Sequence, residues 1–363
     1  MTSARPGVRE VSDRHRFDEQ ALARWLGRHV SGFRGPATIR QFTGGQSNPT
    51  FLVEAASGVY VLRKRPPGVL LDTAHQVDRE FRILAALADS GVPVPTVHAF
   101  CAEPAVIGTA FYVMDYQPGR IFTDPRLPGV AANERAAIYD SMNDTLARLH
   151  GVDWRALGLA DFGRPEGYLA RQRALWSRQY AATRAEATPT LDALRDWLEA
   201  QPVPQDAAAI VHGDFRIGNL VIHEHEPRVV AVLDWELATL GHPLADLAYN
   251  CMTYHLPAGH AVAAGFIGAD VAALGLPSED EYVAAYARRA GLAEIGDWQY
   301  FMAFSLFRVA AIQLGVYARA RLGNAASPTA RLFGDSYRMV AEAGWAVASG
   351  GTPSRLSSTS SAV

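Results

Sequence analysis

The chain has 363 residues, 49% of them hydrophobic and 20% charged, with 34 Lys and Arg against 37 Asp and Glu. That is globular composition, with chain enough for one large domain or two smaller ones. A net charge of −3 speaks against a nucleic-acid partner, which selects a basic excess, and no segment is expected to be long and apolar enough to cross a membrane.

Residues 1–16 are polar and read as a flexible N-terminus without the apolar core of a secretory signal. From 17 to 30, Leu22, Trp25, Leu26 and Val30 recur at helical spacing. Three strand-like runs follow, at 37–42, 48–55 and 58–65, rich in β-branched and aromatic residues and bounded by Gly, Pro or Ser. Residues 76–91 read as a helix with Phe81, Leu84, Leu87 and Ala88 on one face and Gly91 as its stop. Two more strands, PVPTVHAF and AFYVMDY, close a β-rich lobe over 17–117. Pro118 and Gly119 mark the break, and 118–348 is mainly helical: 131–150, 166–185, 190–200, 244–254, 278–290, 297–322 and 328–347. Two short apolar strands, 208–214 and 229–236, interrupt the helices, and the small polar tail 349–363 reads as disordered. The expected class is α+β: a small antiparallel-sheet lobe with one inserted helix, then a larger helical lobe. Cys101 and Cys251 are too few and too far apart for a disulfide framework or a zinc site, so a reducing cytoplasm is the expected compartment.

The segment richest in chemistry is VHGDFRIGNLVI, with Asp214 followed five residues later by Asn219. The next apolar run, VVAVLDWE, ends on Asp234. A carboxylate and a carboxamide on one loop, with a second carboxylate at a strand end, suit metal-assisted phosphoryl transfer. Mg²⁺ prefers hard oxygen ligands and keeps several waters, so Asn219 and Asp234 are candidate ligands, while Asp214 can hold a hydroxyl and accept its proton. Each residue also has a plain role as a turn former; their ordered occurrence favours the chemical one. His212 is expected to brace the loop rather than transfer protons.

This arrangement resembles the aminoglycoside phosphotransferase and choline kinase superfamily, relatives of the protein kinases. Asp246, in HPLADLAYN, matches that family's second, structural aspartate. More narrowly, VLRKRPPG, DREFRIL, HGDFRIGN and DWELATLGHPLADLAY resemble the kinase-like domain fused to, or encoded beside, some acyl-CoA dehydrogenases, and the likeness covers roughly residues 20–340. The resemblance implies a protein-kinase-like two-lobed fold, ATP and Mg²⁺ as cofactors, a hydroxylated acyl or acyl-CoA metabolite as acceptor, and an acyl-CoA dehydrogenase as a candidate partner.

On the nucleotide side, Gly44 and Gly45 allow a tight turn whose amides can approach phosphates, with Ser47 and Asn48 as further donors. The family position of the phosphate-binding cation falls on Arg63, with Lys64 as the alternative. Neighbours on a strand face opposite sides, so only one can serve. Glu80, on the following helix, is the expected carboxylate partner of that cation. In FYVMDYQPGR, Asp115 and Gln117 would offer backbone groups to adenine and Met114 would pack behind it. For the acceptor, His255 and Arg308 are candidates, although a buried arginine is more often paired inside the protein. HGD in place of HRD, DWE in place of DFG and the lack of an A-P-E ending argue against a protein kinase. The intact Asp214, Asn219 and Asp234 argue against a silent nucleotide-binding module. A purely structural partner of an acyl-CoA dehydrogenase, and an aminoglycoside or choline-like acceptor, are the remaining alternatives.

Overall fold

The computed structural model describes residues 7–43, 48–66, 76–183, 188–321 and 332–351. The chain divides into two compact units, Met1–Arg120 with Val230–Ala238, and Ile121–Val229 with Thr239–Val363.

In the first unit, Val8–Arg9 (β1), Ala37–Phe42 (β2), Thr50–Ala55 (β3), Gly58–Lys64 (β4), Val97–Cys101 (β5) and Phe111–Asp115 (β6) make one antiparallel sheet in the order β1-β2-β3-β4-β6-β5. The N-terminal segment expected to be loose therefore contributes a strand: Val8 pairs with Phe42 and Arg9 with Gln41. Glu19–His29 (α1) starts where Asp18 accepts the Ala21 amide at 2.8 Å. Its buried Leu22, Trp25 and Leu26 pack on Phe51, Tyr60, Leu62 and Phe111 of the sheet. This packing fixes the alternation of β4, with Tyr60 and Leu62 toward α1 and Val61 and Arg63 on the opposite face.

Val77–Leu87 (α2) buries Val77, Glu80, Ile83, Leu84 and Leu87, so Leu84 and Leu87 of the expected face are inside while Phe81 is only partly buried and Ala88 is exposed, and the inward stripe carries Glu80. The short Pro104–Ile107 (α3) precedes β6. Residues 230–238, expected to belong with the helical part, count with this unit. The reason is local: the Val232 amide donates to the Pro93 carbonyl at 2.8 Å, and the Arg79 guanidinium donates to the Ala238 carbonyl at 3.3 Å.

The second unit holds Ala132–Gly151 (α4), Tyr168–Thr183 (α5) and Pro189–Ala200 (α6). Ala209–Val211 (β7) follows, and then Leu220–Ile222 (β8) leads through a turn, closed by the His223 amide on the Arg228 carbonyl at 2.9 Å, into Val229–Val232 (β9). Thr239–Gly241 (β10) pairs antiparallel with β7. Pro243–Cys251 (α7), Glu279–Arg289 (α8), Trp298–Arg321 (α9) and Phe333–Ala348 (α10) complete it. α9 is long and apolar enough to span a bilayer by length and composition, which the reading of the sequence did not anticipate. Its most apolar window is 67% buried, against α5, α6, α7 and α10, as a central core helix.

Candidate active site

In the first unit the site is a buried charge cluster. Arg63 is 9% exposed and Glu80 1%. Arg63 Nε lies 2.7 Å from Glu80 Oε2, and its Nη2 lies 2.6 Å from Asp234 Oδ1 and 3.6 Å from Glu236 Oε2. Glu80 also accepts from Asn48 Nδ2 at 2.6 Å and from the Tyr112 hydroxyl at 3.1 Å. Burial alone would lower the Arg63 pKa, yet Glu80, Tyr112, Asp234 and Glu236 raise it, so the cation persists. Burial pushes the Glu80 carboxyl up while Arg63 pulls it back.

Lys64 points the other way. It is 3% exposed, its Nζ lies 3.4 Å from the His15 carbonyl, and it sits over the rings of Phe17 and Phe51. Strand alternation thus removes Lys64 from the set and leaves Arg63 on the face of Glu80. Asn48 is fully buried with its amide on Glu80, so it orients the carboxylate instead of offering an open phosphate donor. Gly44, Gly45 and Ser47 lie outside the described residues.

Asp234 follows the end of β9 in the left-handed region, φ 65° and ψ 61°, just before the 3₁₀ turn Trp235–Leu237. A non-glycine residue held there is strained, and such strain gathers at functional positions. Trp235 Nε1 locks the turn on the Val232 carbonyl at 2.9 Å. In the hinge segment Met114 is buried on β6, opposite Val61 and Val97. The Asp115 amide donates to the Thr96 carbonyl at 2.8 Å and so is already engaged within the unit, and its carboxylate meets His98 Nε2 at 2.7 Å. Gln117 lies two residues past the end of β6 and is partly buried.

In the second unit the site is a loop braced by side chains. Gly213 takes φ 82°, a conformation that excludes a side chain at little cost only for glycine. Asp246, buried on α7, accepts the His212 amide at 2.7 Å and the Gly213 amide at 2.9 Å. His150, 3.4 Å from Asp246, and the His212 amide hold that carboxyl below its usual range even though burial pushes it up. The His212 ring is fully buried and accepts the Asp214 amide at 3.2 Å, a bracing role.

Asp214 itself is held by three donors: the Tyr249 hydroxyl, Arg216 Nε at 3.1 Å, and Asn219 Nδ2 at 2.8 Å. Asn219 Nδ2 also reaches the Asp214 carbonyl at 2.8 Å, which leaves its Oδ1 as the atom able to ligate a cation. Asn250 Nδ2 donates to the Phe215 carbonyl at 3.2 Å. Tyr249 and Asn250 were not singled out in the sequence. They stand three and four residues after Asp246 on α7, one helical face, and that spacing was the available signal.

Among the described residues no carboxylate pairs with Arg308, which is partly buried. Its Nη2 donates to the Gly213 carbonyl at 3.0 Å, and its guanidinium lies 5.5 Å from the Tyr249 ring centre. His255 has an internal partner as well: its Nε2 meets Glu279 at 2.9 Å, where Trp298 Nε1 also donates. Asp214, Arg216 and Tyr249 do line a cavity of about 380 Å³, whose walls are mainly apolar and aromatic, with Met142, Leu256 and Ile312 among them. Asp214 is its only acidic lining residue among those described.

Residues 38–292 match the model of the phosphotransferase enzyme family. The chain is 44% identical over 344 residues to mouse (Mus musculus) acyl-CoA dehydrogenase family member 10, covering 94% of this chain and 32% of that protein. It is 42% identical over 341 residues to human (Homo sapiens) acyl-CoA dehydrogenase family member 11, covering 92% of this chain and 44% of that one. The chain thus spans less than half the length of these relatives. A solved structure from Ralstonia eutropha, named a "putative aminoglycoside phosphotransferase", superposes with a TM-score of 0.85 at 45% identity, over 92% of this chain and 99% of that one. A spectinomycin phosphotransferase in complex with ADP and spectinomycin shares the protein-kinase-like fold at 15% identity and a TM-score of 0.59, over 90% and 98% of the two chains.

Proposed function

The chain belongs to the phosphotransferase enzyme family, and from that premise we propose that it transfers the γ-phosphate of ATP to a hydroxyl on an apolar-bodied small molecule, of the hydroxyacyl or acyl-CoA type. One observation carries this reading. The Asp214 carboxylate, oriented by three donors, opens on a largely apolar cavity of about 380 Å³.

In this mechanism Asp214 accepts a hydrogen bond from the acceptor hydroxyl and takes its proton as the oxygen attacks the γ-phosphorus. The bond from phosphorus to the β,γ-bridging oxygen breaks, and ADP carries away the electron pair. Asn219 and Tyr249 hold the carboxylate in one orientation, so little reorganisation accompanies the transfer. Arg63, kept cationic by its carboxylate neighbours, offers charge to the phosphates. A divalent cation fits the donor set. Asn219 presents an oxygen because its amide is spent on Asp214, and the Asp234 side chain stays 34% exposed despite Arg63. With either oxygen as a ligand, Mg²⁺ would supply charge neutralisation at the phosphates.

The acceptor class is argued from the walls. A polycationic aminoglycoside calls for several carboxylates, whereas an acyl chain suits methionine, leucine and isoleucine. The names of the mouse and human relatives support an acyl-CoA-type substrate, and with it an acyl-CoA dehydrogenase as the partner enzyme.

The test is ADP release by the purified protein with Mg·ATP, across hydroxyacyl-CoAs, choline, sugars and aminoglycosides. Hydroxyacyl substrates are expected to give the highest kcat/KM, and Asp214→Asn to lower kcat by about 10³-fold while the fold persists. Near-normal turnover by Asp214→Asn removes Asp214 from this role. Preference for an aminoglycoside or choline replaces the acceptor assignment.

A further inference from the structure

The Asp214 carboxylate is more fully occupied than a base awaiting a substrate needs to be. Its Oδ1 accepts from the Tyr249 hydroxyl, and its Oδ2 accepts from Asn219 Nδ2 at 2.8 Å. Arg216 Nε reaches both oxygens, at 3.1 and 3.4 Å, and so lies across the outer edge of the group. A carboxylate offers about four lone-pair sites, and these three donors cover them. An acceptor hydroxyl can therefore bond to Asp214 only by displacing one of the three.

The three donors differ in how firmly they are held. Asn219 is 6% exposed, and its nitrogen is bonded to the Asp214 carbonyl as well. Tyr249 is partly buried on α7, with the Arg308 guanidinium 5.5 Å from its ring centre. The Arg216 side chain is 50% exposed, and an ion pair this open to water is weak. Arg216 is the donor that can leave. Its seat is shaped by Gly218. A Cβ at that position would stand 2.5 Å from Arg216 Nη1, whereas φ there is not positive, so it is the space and not the backbone conformation that calls for glycine.

We propose that Arg216 covers the Asp214 carboxylate until the hydroxyl of a bound acceptor displaces it, and so guards the γ-phosphate against water. The guard rests on the phosphotransferase reading, but the displacement is a property of binding alone. An acceptor brings the burial of its apolar body to the exchange, and a water molecule brings nothing comparable. With Arg216 in place, water in the empty cavity finds no open lone pair on Asp214. With Arg216 gone, Asp214 takes a proton from water as the water oxygen attacks the γ-phosphorus. The bond from phosphorus to the β,γ-bridging oxygen breaks, ADP leaves with the electron pair, and inorganic phosphate is the second product. Arg216 is thus a specificity residue that sets transfer against hydrolysis.

Two variants remove the contact by different routes. Arg216→Met deletes the guanidinium and keeps an unbranched stem. Gly218→Ala keeps the guanidinium and pushes Nη1 from its seat, which costs little because the atom displaced is the far end of a flexible side chain. Calorimetric titration without nucleotide uses octanol and its methyl ether, which has the same apolar body and no O–H. Both variants are expected to bind octanol about two- to fivefold more tightly than wild type does, and to bind the ether as wild type does. With Mg·ATP and no acceptor, both are expected to release ADP about two- to fivefold faster than wild type. Unchanged octanol binding, tighter binding in one variant alone, an equal gain for the ether, or no octanol binding by any form overturns the inference. So does acceptor-free ADP release that wild type shows and neither variant raises. Tighter octanol binding with no ADP release from any form, with or without the acceptor panel, leaves the displacement standing and removes the kinase reading.

Discussion

The candidate residues of the two units are held by different physics. In the first unit, Arg63 and Glu80 are charges almost wholly out of water, 9% and 1% exposed, and their geometry is set by mutual attraction at 2.7 Å. In the second unit the Asp214 loop is held through its backbone. Asp246 takes two amides, the His212 ring takes a third, and Asn250 and Arg308 donate to the carbonyls of Phe215 and Gly213. A buried ion pair is unforgiving, because removing one partner strands the other. A loop tied at five points shares its load, and single losses displace it more than they unfold it.

The sharpest way to break this contrast is Glu80→Ala. It leaves Arg63 Nε, Asn48 Nδ2 and the Tyr112 hydroxyl without their shared acceptor, and a loss of about 3–5 kcal/mol is expected. The urea midpoint should fall with an unchanged slope. A loss under about 1 kcal/mol would mean that Asp234 and Glu236 suffice for Arg63.

Asp246→Asn should cost less, about 2–3 kcal/mol. The carboxamide keeps one acceptor for the His212 or Gly213 amide and turns an N–H toward the other. Phosphoryl transfer should fall by a larger factor than stability alone accounts for, measured under conditions where the variant is fully folded. Equal fractional losses of folded protein and of activity would make Asp246 a fold residue only.

Much of the first unit was legible because its signals are local. Strands β2 to β4 show β-branched alternation between turn residues, and α1 shows its apolar stripe. The position of Arg63 next to Lys64 left the choice of cation to strand facing, and packing of Tyr60 and Leu62 on α1 puts Arg63 on the face of Glu80. β1 and β10 were not legible, being two and three residues long with no room for alternation; both exist through pairing with a remote strand. In α2 the periodicity of apolar residues alone placed the face on Phe81, since a buried glutamate counts as polar in any such pattern. His255 was suggested by its place just after α7 and Arg308 by its residue type, and only tertiary structure shows that Glu279 and the Gly213 carbonyl claim them. Of the cavity-lining residues, Asn250 carries only its four-residue spacing from Asp246, and Gln313 only its place as a polar residue on an otherwise apolar helix.

The smallest expected effect lies at the start of α7, where a histidine serves as a helix cap. His242 is 4% exposed. Its Nδ1 accepts the Leu244 amide at 3.2 Å, while its Nε2 lies 3.1 Å from the Gln205 carbonyl, which fixes the neutral form with the proton on Nε2. Burial lowers its pKa from 6.5. The unfolded chain then takes up a proton below pH 6.5 that the native state refuses, so this site's contribution is complete above that pH and declines as pH falls toward the native pKa. Between pH 7 and pH 6 the loss is at most about 0.7 kcal/mol. His15 and His260, also held low by burial, contribute in the same direction. His242→Asn keeps an acceptor for the Leu244 amide and has no proton to gain, so it should flatten this part of the urea-midpoint profile without lowering the plateau by more than about 1 kcal/mol. An unchanged slope would show that the imidazole takes up its proton as readily in the folded protein as in the unfolded chain, with the cap made by something other than its Nδ1 lone pair.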